Sequence, residues 1–162
     1  MTLLVKDKAA KDAEEVRAAY SDPGFPVDPE QVARAMGMVV EPTMLVTDIS
    51  GMLQVNPGVP PRIYVDYSDV PQRQRFTVAH EIGHYYEHTS RGQDDFNFID
   101  KRGGPYDVHE AYADEFAGNL LMPAPEVDQL HRRGAGLATM ARHFDVSLSA
   151  MQVRLKRLGL RA

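Results

Sequence analysis

Two histidines four residues apart, with a glutamate directly after the first, constrain this chain more than any other feature: His80-Glu81-Ile82-Gly83-His84 reads HExxH. At 3.6 residues per turn, positions i and i+4 share a helix face, so His80 and His84 can grip one ion together. Glu81 projects about 100° away, which suits it to touch a water beside the metal rather than the metal itself. The setting is helical. Phe76, Ala79, Ile82 and Tyr86 recur at helical spacing, and Pro71 stands where a helix would begin. This is the layout of a zinc hydrolase.

The chain has no cysteine, so a disulfide framework and a thiolate zinc site are both excluded. Any metal must be held by histidine and carboxylate. Catalytic zinc sites usually have three protein ligands and one open position, so HExxH needs a partner from elsewhere. The HExxHxxGxxH arrangement is ruled out, because Glu87 and Ser90 stand where its glycine and third histidine would be. The other route is a glutamate on a later helix, followed four residues on by a carboxylate that orients a ligating imidazole. Glu110-Ala111-Tyr112-Ala113-Asp114 fits it, with small Ala113 and Ala117 letting two helices approach closely. Glu110 is then the third ligand and Asp114 the group behind a histidine. Glu115 and His109 compete for the ligand role, and His88 reads as a surface or pocket-rim histidine.

With 162 residues, 43% of them hydrophobic, the chain fits one globular domain. No apolar stretch approaches membrane-spanning length, and Leu3-Leu4-Val5 is too short for a secretory signal. That points to the cytoplasm and to no membrane partner. Helices are expected over residues 7–20, from an Asp28 N-cap and Pro29 to near Gly37, and over 109–122. Strands are expected over 38–41, 51–55 and 62–66, giving a small, mostly antiparallel sheet. Residues 89–108 show little periodicity and read as a long connection between two active-site helices. From Pro125 the chain reads as three short helices. The fold class is thus α+β, with a core over residues 1–124 and a helical segment over 125–162.

Charge divides the same way. Residues 1–124 carry 11 basic and 20 acidic side chains, a net of −9, while 125–162 carry 7 and 3, a net of +4. A basic end could meet an acidic partner, nucleic acid, or only solvent.

The blocks Arg75-Phe76-Thr77-Val78-Ala79-His80-Glu81-Ile82-Gly83-His84 and Glu110-Ala111-Tyr112-Ala113-Asp114-Glu115-Phe116-Ala117-Gly118-Asn119-Leu120-Leu121-Met122-Pro123 together resemble the ImmA/IrrE metallo-endopeptidases. The likeness extends over about residues 27–160. It implies a zincin-like core followed by a helix-turn-helix-like segment, a Zn2+ cofactor, and a protein substrate of the helix-turn-helix repressor type whose cleavage relieves repression in stress or during mobile-element transfer. Departures are mild: Gly118 stands where alanine is common, and Asp114 where asparagine is the frequent alternative.

On this reading His80, His84 and Glu110 hold the metal, and Glu81 takes a proton from the attacking water. Tyr106, Tyr112, His131 and His143 are candidate oxyanion stabilisers. Strand residues Arg62, Ile63, Tyr64, Val65 and Asp66 would form a sheet edge to which an extended substrate could add. Two rival readings remain. One is a DNA-binding regulator using 137–158 with Arg142, Arg154, Lys156 and Arg157; the other is a repressor antagonist that sequesters without cutting.

Overall fold

The computed structural model describes residues 4–162; Leu3, part of the apolar amino-terminal triplet, lies outside them. The elements run α1 (Val5–Tyr20), α2 (Pro29–Ala35), β1 (Val39–Thr43), β2 (Ile49–Val55), β3 (Arg62–Asp66), α3 (Pro71–Thr89), β4 (Phe96–Lys101), α4 (Val108–Leu121), α5 (Ala124–Arg132), α6 (Leu137–Phe144) and α7 (Leu148–Arg157). The chain is therefore α+β. Local chemistry accounts for most boundaries. The Asp28 carboxylate accepts from the backbone N–H groups of Glu30 and Gln31, with Pro29 at the first helical position. Asp107 does the same for His109 and Glu110 at the start of α4, and Ser147 accepts from Ala150 at the start of α7.

The sheet order is β1-β3-β2-β4, with β1 parallel to β3 and the other two pairings antiparallel. Two sequence expectations are corrected here. Arg62 to Asp66 is not an edge: β3 has β1 on one side and β2 on the other, so its main-chain groups are already paired. The edges are β1 and β4. Moreover, the stretch 89–108 is not a plain connection, because it contains β4. Phe96, Phe98 and Asp100 face inward along that strand, while Asn97, Ile99 and Lys101 face out. The outward Ile99, 54% exposed, blurs the alternation that would otherwise mark a strand.

The inner sheet face packs on α3 through Leu53, Val55, Ile63 and Val65, all buried. Gly51 lies on that same face. A Cβ there would meet Thr77 Cγ2 at 2.6 Å and Glu81 Oε1 at 3.4 Å, so glycine is what lets β2 lie directly over the HExxH helix. Gly83 serves the opposite side of α3, where a Cβ would lie 3.1 Å from the Phe116 side chain on α4. Behind α4, helix α1 contributes Ala9, Ala13 and Val16, and the buried Tyr112 hydroxyl donates to Asp12 Oδ2 at 2.6 Å.

The carboxy-terminal helices share this core. Val127, Met140, Phe144, Met151 and Leu155 belong to the same apolar cluster as Ala9 and Ile82. The turn after α6 has Asp145 at φ 52°, a left-handed conformation that glycine usually supplies. Arg75 of α3 braces it, donating to the Asp145 carbonyl at 3.1 Å and pairing with its carboxylate at 3.3 Å. Arg154 is only 4% exposed and donates to the Met122 carbonyl and to Asn119 Oδ1, both at 2.9 Å.

Candidate metal centre

Helix α3 turns His80 and His84 toward α4 and the end of β4. His84 Nε2 lies 3.0 Å from Glu110 Oε1, and His80 Nε2 lies 3.2 Å from Glu110 Oε2. The other nitrogen of His80, Nδ1, donates to Asp114 Oδ1 at 2.9 Å, which turns Nε2 toward the cluster. One carboxylate faces both imidazoles, and the next stands behind one of them. His84 is fully buried and stacks on Phe98 of β4, with ring centroids 4.3 Å apart and planes 5° from parallel. Its Nδ1 has no hydrogen-bond partner, so packing on Phe98 rather than a carboxylate holds the ring from behind.

Asp100 also enters this cluster. Its Oδ2 is 3.4 Å from His80 Nε2 and its Oδ1 3.5 Å from His84 Nε2. Sequence reasoning missed it, because nothing local marks the end of an unrecognised strand; the spacing Phe96-x-Phe98-x-Asp100 was the available signal. Glu81 completes the group. It is fully buried, and neither carboxyl oxygen has a hydrogen-bond partner. One ligand atom each from His80, Glu81, His84 and Asp100 lie within 4.8 Å of one another.

Burial and close contact shift the ionisation of Glu81, Asp100, His80 and His84. Burial, and then the neighbouring Asp100 carboxylate, push Glu81 well above the usual carboxyl range. Burial would raise Asp100 too, but its contacts with Glu81, His80, His84 and Glu110 hold it far below. Burial alone would lower His80, yet Asp100, Asp114 and Glu110 outweigh it and raise that imidazole well above its ordinary value; Asp100 and Glu110 act likewise on His84. Buried polar atoms without partners, namely His80 Nε2, both Glu81 oxygens and Asp100 Oδ2, surround one point. Such unpartnered polar atoms are costly unless something satisfies them, and a His/carboxylate set suits a divalent cation.

The remaining candidates fall elsewhere. Glu115 pairs with Arg157 at 3.0 Å, and the His109 ring meets Glu87 at 2.8 Å, so neither approaches His80 or His84. His88 is not at a rim: it is buried, donates from Nδ1 to Gln93 at 2.7 Å and packs against Phe96 and Phe98. Tyr112 is committed to Asp12 behind α4. His131 donates to the Arg161 carbonyl at 2.7 Å, and His143 bonds Glu126 at 2.9 Å and packs on Phe25. Those three do not reach the cluster. Tyr106 is 63% exposed; burial and then the Asp114 charge raise its hydroxyl's pKa, so of the four candidates it alone lies near a member of the cluster. The cluster opens into a cleft of about 600 Å³ that has Ser149, Val153 and Arg157 of α7 along its other wall.

Fold and cluster together define a class: an α+β domain whose two packed helices and edge strand converge on a His/carboxylate group suited to a metal. The chain belongs to the family of the IrrE N-terminal-like domain, the M78 peptidases, whose model matches residues 33–156. It is 33% identical over 104 residues to the radiation response metalloprotease IrrE of Deinococcus radiodurans, an alignment covering 54% of this chain and 28% of that protein. With the IrrE of Deinococcus deserti it is 40% identical over 88 residues, covering 49% and 30%. The chain thus aligns with less than a third of the length of these relatives. A Mycobacterium tuberculosis transcriptional regulator has a similar fold, with a TM-score of 0.64 and 16% identity, covering 94% of this chain and 50% of that one.

Proposed function

We propose that this protein is a Zn2+-dependent endopeptidase with a zincin-like core. The observation that carries the reading is the convergence of His80 Nε2, His84 Nε2 and the Glu110 carboxylate on one buried point, with Glu81 unpaired beside it. His80, His84 and Glu110 hold the ion, and Asp114 fixes the tautomer and orientation of His80. A divalent ion held there supplies the Lewis acidity that makes a water nucleophilic near neutral pH. Glu81 takes the proton from the attacking water and passes it to the leaving amine. Glu81, raised by burial, would be ionised beside a cation held by His80, His84 and Glu110 and so able to accept that proton. Tyr106 is the side chain closest to an oxyanion role.

The substrate is a protein, and the family resemblance favours a helix-turn-helix repressor whose cleavage relieves repression of a stress or mobile-element operon. Residues 137–158 form a helix-turn-helix-like unit that docks the substrate. Direct DNA binding is disfavoured, because Arg154 is buried and Arg157 is paired with Glu115, leaving Arg142 and Lys156 of the four basic residues free. No helix among the described residues is long and apolar enough to cross a membrane.

Glu81→Gln tests the assignment. The variant is expected to retain one equivalent of zinc by elemental analysis and to lose cleavage of the neighbouring repressor, by about the 100 to 10,000-fold typical of a lost general base. Cleavage that survives in full would remove Glu81 from the mechanism, and loss of zinc would make it a metal-site residue instead.

A further inference from the structure

The cluster contains more donors than the proposed chemistry uses. Catalytic zinc sites keep one coordination position open, whereas sites closed by four protein side chains are structural. Here a fourth side chain, Asp100, stands close to the same two imidazole nitrogens as Glu110. Asp100 Oδ2 is 3.4 Å from His80 Nε2 and Oδ1 is 3.5 Å from His84 Nε2; the Glu110 oxygens lie at 3.2 and 3.0 Å from the same two nitrogens. In a tetrahedral site with bonds of about 2.0–2.1 Å, neighbouring ligand atoms are separated by about 3.3–3.4 Å. The Asp100 distances match that edge length. They are long for a charge-assisted hydrogen bond, which runs at about 2.7–2.9 Å. Asp100 is nine-tenths buried and its Oδ2 has no hydrogen-bond partner, so the carboxylate is directed at the centre rather than at a donor.

We propose that Asp100 is a fourth protein ligand, which closes the metal's coordination and holds the enzyme latent until the end of β4 withdraws it. This inference rests on the metal-centre reading above. Its basis is where the four ligands come from. His80, His84 and Glu110 sit on helices packed face to face, and those helices cannot move without opening the core. Asp100 sits near the end of an edge strand, paired with β2 on one side only. Its Cα partner is Gly51, beside a register irregularity between Ile49 and Gly51 that interrupts the ladder at this point. Gly51 has no side chain to fill the space Asp100 would leave. The strand's free edge can take up an extended peptide by main-chain hydrogen bonds. Substrate pairing along β4 is the event that shifts Asp100 and frees the fourth position.

The test uses the whole chain, stripped of metal and reloaded with Co2+ or Zn2+, as wild type, Asp100→Ala and the nearly isosteric Asp100→Asn, each checked for folding by circular dichroism. Zinc affinity is measured by chelator competition, and coordination by the visible spectrum of the Co2+ form with and without azide, which needs a vacant position. The expected result is a zinc affinity at least tenfold weaker in both variants, and a Co2+ spectrum that azide perturbs in the variants and not in wild type. Cleavage of β-casein is expected to rise in Asp100→Asn. Equal affinities with equal azide responses would overturn the ligand assignment, and reduced cleavage with metal retained would overturn latency. Failure of all three proteins to bind stoichiometric metal would instead sink the metal-centre reading itself.

Discussion

His80 and Asp114 illustrate how much one hydrogen bond decides. By donating Nδ1–H to Asp114, His80 turns Nε2 toward Glu110 and Asp100. Removing Glu110 is therefore expected to cost most of the metal affinity, and Asp114→Ala roughly 10 to 100-fold of it. Chelator competition checks both. Glu115→Ala should leave affinity unchanged, since that carboxylate is spent on Arg157; a larger loss there than in Glu110→Ala would move the ligand. Tyr112 shows the reverse case, a site-like residue that serves stability. Its hydroxyl is held by the buried Asp12, so Tyr112→Phe should lower unfolding free energy by about 1–3 kcal/mol and leave cleavage per folded molecule intact. Urea denaturation beside a cleavage assay separates the two, and lost cleavage in a fully folded variant would return Tyr112 to the mechanism.

Helix α4 must start in the right place for Glu110 to face α3, and Asp107 sets that start. The backbone N–H bond from Glu110, against the opposing effect of burial and with help from that of His109, holds the Asp107 carboxyl below its ordinary value. A depressed acid stabilises the fold only while ionised. The contribution is complete above the ordinary value of 3.8 and disappears as pH falls through the lower folded value. Asp107→Ala should cost about 1 kcal/mol at neutral pH, as lost caps do. Denaturation curves across pH should find the gap between wild type and variant narrowing below about pH 4. A gap that widened in acid would contradict the capping account.

Across the whole molecule, the basic carboxy-terminal helices are part of the core and of the cleft wall. Deleting 137–162 would remove Met140, Phe144, Met151 and Leu155 from the apolar cluster and leave the Met122 carbonyl without Arg154. Truncation therefore tests folding and not docking. A surface change on the cleft side is cleaner. Val153 is 49% exposed and lines the cleft, so Val153→Glu is expected to raise KM for a folded repressor severalfold while zinc content and Tm stay unchanged. An unaltered KM would argue that α7 takes no part in substrate docking.

Much of this was legible in the sequence because helix geometry converts spacing into distance. His80 and His84, Glu110 and Asp114, and the caps at Asp28 and Pro29 relate residues within one or two turns, where rise and rotation are nearly constant. The α+β class followed from the same local rules, whereas the facing of the two helices was inferred from the need for a third metal ligand. What only the tertiary structure decided involves residues far apart in the chain, for which no such rule exists. Strand order made Arg62 to Asp66 interior and left β4 at the edge; that edge then carried Asp100 to within 3.5 Å of histidines on another element. The fates of Tyr112, His131, His143 and Arg154 were settled by partners 17 to 100 positions away. A polar side chain looks alike in sequence whether it meets a metal, a carboxylate or a carbonyl, and only packing determines which of these it reaches.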